Sequence, residues 1–249
     1  VRRLLPEPAE LDDDALAAAY RVPPGRFLRS NFVASLDGAV TVDGRSGELG
    51  SPGDRRVFAL LRALADVVLV GHGTAAAEGY RPVTADTRVA TLRAALGRPA
   101  AAPIAVVSRR ASLSPGDRLA VDSTILVTGA SSDPDRRAAL ADAGVTVLVC
   151  GEDDVDLPLA LDRLADLGHE QVLCEGGPQL FRAALRAGVV DDLALTLSPA
   201  LVGAGQPHLL GEPLADLVPL ELRHVLEEDG VLFTRYAVGG PPMNRTTSP

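Results

Sequence analysis

Short runs of Val, Ile and Leu alternate along the chain with Ala-, Leu- and Arg-rich segments whose apolar positions recur at helical spacing. Strands are predicted at Phe27–Ala34, Val67–Val70, Ile104–Val107, Thr124–Thr128, Val145–Val149, Gln171–Cys174, Leu193–Leu197, Glu221–Glu227 and Val231–Val238. Helices are predicted at Asp12–Tyr20, Pro52–Ala65, Asp86–Leu96, Asp133–Ala143, Pro158–Leu167 and Pro178–Ala187. Ser51 followed by Pro52 is a strong start signal, since Ser caps free N–H groups and Pro at the first helical position lacks one. Val67-Val68-Leu69-Val70 and Thr146-Val147-Leu148-Val149 are apolar on both faces, as strands become when helices cover them above and below. Alternation of such strands with helices predicts an α/β fold with a mostly parallel sheet. The last two strands meet at Glu228-Asp229-Gly230, where Asp-Gly favours a tight reversal, so the sheet is expected to end in an antiparallel hairpin. With no internal repeat and no long linker, one domain is expected over residues 1–238. Residues 1–26 read as an N-terminal extension with a short helix, and residues 239–249 as a disordered tail.

Composition supports a packed globular chain. Hydrophobic residues are 47% and charged residues 23% of 249, which excludes general disorder, and with five Phe, three Tyr and no Trp the core must be aliphatic. All 24 basic residues are Arg, so chemistry that needs a Schiff-base or P-loop lysine is excluded. The net charge of −9 argues against nucleic-acid binding. No apolar run approaches the roughly eighteen residues of a membrane span, and the start of the chain runs into an acidic stretch without the apolar core of a signal peptide. Cys150 and Cys174 have no metal-site spacing, and His72, His169, His208 and His224 are scattered, so no metal is expected. A cytoplasmic enzyme fits these features.

Four stretches can carry chemistry. In Gly71-His72-Gly73-Thr74, directly after a strand, glycines allow close backbone approach and Thr74 can cap a short helix that faces an anion. Gly79 and Pro82 end that helix after about a turn, too soon for a Rossmann unit. Glu175-Gly176-Gly177-Pro178 again joins a strand to a helix and leaves room for a pyrophosphate, while Glu175 needs a ligand group other than phosphate. Ser108 and Arg109 close a third strand with a hydroxyl and a guanidinium suited to a ribose 2′-phosphate, which would favour NADP over NAD. Ser35 and Asp37 close a fourth, where a carboxylate would hold a heterocycle by its N–H donors, relay a proton, or simply build an Asx-type turn. Each of the others also has a structural alternative: a plain Gly-rich turn, or charged residues facing solvent.

Taken in order, these stretches resemble the riboflavin-biosynthesis pyrimidine reductase family, found alone or as the C-terminal half of bifunctional deaminase–reductases. The markers are Ser35-Leu36-Asp37-Gly38, Arg55 and Arg62, Ala65-Asp66 leading to Gly71-x-Gly73-Thr74, Glu175-Gly176-Gly177-Pro178, Val190 to Leu193, Ser198-Pro199 and Val202-Gly203. The resemblance implies a three-layer fold like that of dihydrofolate reductase, NADPH as hydride donor, a homodimer, and reduction of 5-amino-6-(5-phosphoribosylamino)uracil at C1′ to the ribitylamino product. It also implies roles. Gly71, Gly73 and Thr74 would meet the cofactor phosphates, and Gly176 and Gly177 the pyrophosphate. Ser35, Asp37 and Glu175 would orient the pyrimidine or the sugar, with Asp37 as the candidate proton donor, and Arg55 or Arg81 would meet the substrate phosphate. Family members often carry Lys at the place of Asn31 and a basic residue at that of Ala39. No H-x-E with P-C-x-x-C pattern occurs, so a stand-alone reductase is expected. The alternatives are a reductase of the same fold acting on another heterocycle such as dihydrofolate, and a nucleotide-binding module without turnover.

Overall fold

The computed structural model describes residues 1–82 and 87–239. In chain order the elements are β1 (Arg2–Leu5), β2 (Ala9–Glu10), α1 (Asp13–Tyr20), β3 (Phe27–Ser35), α2 (Pro52–Leu64), β4 (Val67–Gly71), α3 (His72–Ala77), α4 (Arg88–Ala95), β5 (Ile104–Val107), β6 (Thr124–Thr128), α5 (Pro134–Asp142), β7 (Thr146–Val149), α6 (Leu157–Asp166), β8 (Gln171–Cys174), α7 (Pro178–Arg186), β9 (Asp192–Ser198), β10 (Leu220–Glu228) and β11 (Val231–Val238). The expected disordered tail, apart from Gly239, and the Asp86 start of one predicted helix lie outside the described residues.

All strands join one sheet in the order β2-β1-β10-β11-β9-β3-β8-β4-β5-β6-β7. Neighbours from β9 to β7 are parallel. From β9 outward through β11, β10, β1 and β2 they are antiparallel, a wider extension than the expected hairpin. The sequence pattern does not predict β1 and β2. Arg2-Arg3-Leu4-Leu5 shows no alternation, and its strand conformation is stabilised by β10 at the far end of the chain, a tertiary effect that overrides local propensity.

Side chains alternate across the sheet, and both faces are covered. Val67 and Leu69 of β4 face α6 and α7 in a cluster with Leu161, Val172 and Phe181. Val68 and Val70 face the opposite layer with Ala75 of α3 and Leu140 of α5. On that same side α1 and α2 lie over Leu173, Ala194, Leu226 and Phe233. All four of these β4 residues are at most 1% exposed, which explains the doubly apolar run. Each such side chain contributes about 1.5–3 kcal/mol by its burial.

An unpredicted buried ion cluster fastens α1 to the sheet. Asp192 accepts from Arg29 Nε at 2.7 Å and from Arg235 Nε at 2.8 Å. The two guanidiniums also donate to the carbonyls of Tyr20 (2.8 Å) and Ala19 (2.7 Å), which the end of α1 leaves unpaired. His224 meets the Tyr20 ring edge-on, and burial pushes its imidazole down to about 4. Among the described residues no helix is long and apolar enough to cross a membrane.

The chain path creates a crevice. From β4 it runs outward through β5, β6 and β7, with α3 and α5 on one face. It returns through α6 on the other face, placing β8 between β3 and β4. At the carboxyl ends of β4 and β8 the chain therefore departs to opposite faces, the place where open α/β sheets bind ligands.

Candidate active site

A cleft of about 700 Å³ lies at that point, walled by β3, α2, the start of α3 and the turn after β8. The two turns that meet there are pressed together. Gly71 N–H donates to the Gly176 carbonyl at 2.7 Å, and Glu175 N–H to the Leu69 carbonyl at 2.9 Å. Gly176 has φ +79°, and a Cβ there would stand 2.7 Å from Phe32 Cζ. A Cβ at Gly177 would stand 2.5 Å from Thr74 Oγ1. Gly176 therefore excludes a side chain for reasons of conformation and space, whereas at Gly177, with φ −71°, only the Thr74 hydroxyl stands in the way.

The helix starts divide into two groups. Asp12, Ser51, Thr87, Asp133 and Asp156 cap α1, α2, α4, α5 and α6 through their side chains. The caps of α3 and α7 are Gly71 and Gly177, which have no side chain to do so. Among the described helices that begin at the cleft, α2 is capped by Ser51, while α3 and α7 leave their first N–H groups for another acceptor.

The cleft wall holds a buried ion pair. Arg62 grips Glu175 with two parallel bonds, Nε to Oε1 and Nη2 to Oε2, each 2.7 Å. The Tyr80 hydroxyl donates to the same Oε2. The guanidinium lies 4.5 Å from the Phe58 ring centroid and 5.1 Å from that of Tyr80, a cation–π sandwich. Burial works against charge on Arg62, but Glu175 outweighs it and raises the arginine above its ordinary value. Burial and the adjacent carboxylate hold the Tyr80 phenol well above its ordinary value, so it stays a donor.

Of the residues singled out from sequence, Arg55, Gly73, Thr74, Arg81, Glu175 and Gly177 wall the cleft, and so does Asn31. Gly71 and Gly176 lie immediately beside it through the contacts above. Ser108 directly follows β5, next to the Gly71 turn, and is buried, its Oγ accepting from Ser112 N–H at 2.8 Å. Arg109 is half-exposed and 3.5 Å from Asp154. Ala39 is fully buried, where a basic side chain has no room.

Ser35 and Asp37 do not wall the cleft. Asp37 accepts from Ser35 Oγ at 2.5 Å, from Gly203 N–H at 2.7 Å and from Val202 N–H at 3.2 Å. These bonds, that from Ser35 first, hold its carboxyl down to about 2. The folded carboxyl binds a proton more weakly than the unfolded one, so its stabilisation is complete above the ordinary value of 3.8 and fades as pH falls toward 2. The difference in melting temperature between the native chain and Asp37→Ala is therefore expected to be constant near neutrality and to shrink steadily below about pH 4. A difference independent of pH down to the acid transition would contradict this.

The sequence model of the RibD C-terminal domain family matches residues 26–231. The chain belongs to that family. A 2,5-diamino-6-ribosylamino-4(3H)-pyrimidinone 5′-phosphate reductase from Methanothermobacter thermautotrophicus is 32% identical over 223 residues, 86% of this chain and 99% of that protein. One from Aquifex aeolicus is 28% identical over 218 residues, 82% of this chain and 92% of that protein. A solved pyrimidine reductase-like protein from Corynebacterium diphtheriae matches with a TM-score of 0.78 at 27% identity, covering 90% of this chain and 98% of that one.

Within this RibD C-terminal domain, sequence reasoning passed over Asp54, Phe58 and Tyr80 and treated Arg62 only as a marker. Asp54, Phe58 and Arg62 recur every four residues along α2 and so share one face. That spacing was a usable signal, because a helix stripe carrying two charges is not a plain core face.

Proposed function

We propose that this chain is a nicotinamide-dependent reductase of a ribosylaminopyrimidine 5′-phosphate, forming the ribitylamino product. The observation that carries the reading is the cleft at the sheet's switch point, entered by two helix starts without side-chain caps, in a chain that spans nearly the full length of a relative bearing that activity.

The residues present fit a dinucleotide. A Cβ added at Gly73 would meet nothing within 4 Å, so the backbone there is open to a ligand. Gly71, Gly73 and Thr74 would hold the cofactor phosphates, with Gly176 and Gly177 at the pyrophosphate. When bound, the cofactor supplies a hydride, delivered to C1′ of the sugar. The chain supplies alignment: Arg62 and Tyr80 fix Glu175 in one orientation toward the substrate, and Arg55 or Arg81 meets its phosphate. Asp37 is ionised and fully engaged, so we assign it, with Ser35, to holding the Val202–Gly203 loop.

Addition of the ribosylaminopyrimidine phosphate to enzyme and NADPH is expected to consume NADPH and yield the ribitylamino compound. Binding of both without oxidation would refute the reading. Ser108 and Arg109 are the proposed readers of the 2′-phosphate, giving NADPH at least about a tenfold advantage over NADH, as one charge-assisted hydrogen bond implies. Arg109→Ala is expected to reduce that advantage severalfold, and equal KM values in the native enzyme would remove the assignment. The assembly proposed is a homodimer, with a light-scattering mass near twice 25.8 kDa.

A further inference from the structure

A second pocket, of about 490 Å³, opens at the opposite end of the sheet, by the amino ends of β3 and β8, and shares no lining residue with the cleft. Phe27, Leu61, Leu64, Leu96 and Val172 give it apolar walls. The segment from Arg21 to Gly25, which links α1 to β3, closes one side. Gln171 pins that segment, its Nε2 donating to the carbonyls of Gly25 (2.5 Å) and Pro23 (3.2 Å). Asp66 accepts from Arg98 Nη1 at 2.6 Å and from the Gln171 N–H at 2.8 Å. Arg21 and Glu170, of opposite sign, are exposed at the rim.

Arg29 differs from these groups. It lines the pocket with its side chain only 7% exposed. Its guanidinium carbon lies 5.6 Å from the Tyr20 ring centroid and 5.9 Å from that of Phe27, two residues that also line the pocket. Nε and Nη1 donate to Asp192 and to the Tyr20 carbonyl, while Nη2 is buried with no hydrogen-bond partner among the described residues. Charge is unbalanced as well. The two guanidiniums of Arg29 and Arg235 share the one carboxylate of Asp192, which leaves a single positive charge in excess. A buried donor and a buried charge both cost stability until an acceptor of opposite sign meets them.

We propose that this pocket is a second ligand site, taking a small carboxylate with a flat apolar body. The carboxylate meets Arg29 Nη2, the half-buried Phe27 ring turning aside to admit it, and the body lies between the apolar walls. A carboxylate supplies both the missing acceptor and the missing negative charge, in a charge-assisted hydrogen bond. A phosphate group, with three oxygens to satisfy, would find a single free nitrogen. A planar conjugated body suits walls that include the Tyr20 and Phe27 rings. The volume lies within the range of small-molecule sites.

The test is a calorimetric titration of the full chain with 2-naphthoate and with its uncharged counterpart 2-naphthamide. The native protein is expected to bind one naphthoate per chain, at least about tenfold more tightly than the amide, as one charge-assisted hydrogen bond implies. Arg29→Met keeps much of the apolar stem and leaves Asp192 paired with Arg235, and should bring the two affinities within about threefold of each other. Leu96→Trp adds bulk to the pocket wall and leaves the ion cluster untouched, so it gives a readout if Arg29→Met does not fold. There both affinities should fall at least about tenfold. Absence of naphthoate binding at millimolar probe, or equal affinity for the acid and the amide in the native protein, would overturn the proposal. So would naphthoate binding that survives Leu96→Trp unchanged, since the probe would then sit elsewhere on the chain.

Discussion

Gly176→Ala is expected to destabilise the chain by about 2–6 kcal/mol and to reduce turnover by at least about 100-fold. Two costs combine. A residue with a side chain at φ +79° carries about 1–3 kcal/mol of strain. Its Cβ would also stand 2.7 Å from Phe32 Cζ, and overpacking of a core side chain costs another 1–3 kcal/mol or so. Phe32 has little room to give, being 8% exposed with the Phe181 ring 4.9 Å away. For a chain of this size the loss corresponds to a fall in melting temperature of roughly 5 °C or more. Gly177→Ala provides the contrast. Its Cβ would meet the Thr74 hydroxyl, which can rotate away, so stability should fall less while cofactor affinity falls as much. Scanning calorimetry and a cofactor titration check both variants. A Gly176→Ala protein with native melting and native affinity would show that the turn does not need its backbone conformation.

Arg62→Met is expected to be nearly as damaging, by about 3–5 kcal/mol, because it strands a buried carboxylate without its counter-ion. The Glu175 side chain is 2% exposed and that of Arg62 16%, so solvent does little to screen the loss. Glu175→Gln alone should cost less, since the amide keeps its hydrogen bonds with Tyr80 and leaves the arginine nearer to solvent. Combining the two should recover part of the stability of Arg62→Met, since neither charge then remains buried alone. Activity should not recover in the double variant, and is expected to stay at least about 100-fold down, if the fixed carboxylate orients substrate. Denaturant unfolding of the four proteins in a double-mutant cycle gives the coupling energy. Additive costs would show that the pair acts through its two side chains separately.

Much of the architecture was legible because it is written locally. The doubly apolar Val67–Val70 implied a strand covered on both faces, and it is one. Ser51-Pro52 implied a helix start, and Ser51 Oγ accepts the Asp54 N–H at 3.0 Å. The turn at Glu175–Pro178 was visible as a turn for the same reason, since Gly176 at φ +79° is demanded by backbone conformation within a few residues. The strands β1 and β2 were not visible, because β1 takes its partner β10 from the other end of the chain and β2 in turn builds on β1.

The site was legible in its backbone and obscure in its carboxylates. Asp37 and Asp54 are alike as residues next to turns or helix starts, and only tertiary contacts separate them. The Val202–Gly203 loop takes up the first, while the fold turns the second into the cleft. The sequence alone determined the α/β alternation, the caps and the glycine turns, since periodicity and φ preference act over a few residues. Which face of α2 looks into the cleft, and that Arg62 meets Glu175 across 113 residues, was decided by the crossover that brings β8 back between β3 and β4. Electrostatic partnership depends on distance in space, and it is the returning chain that sets that distance.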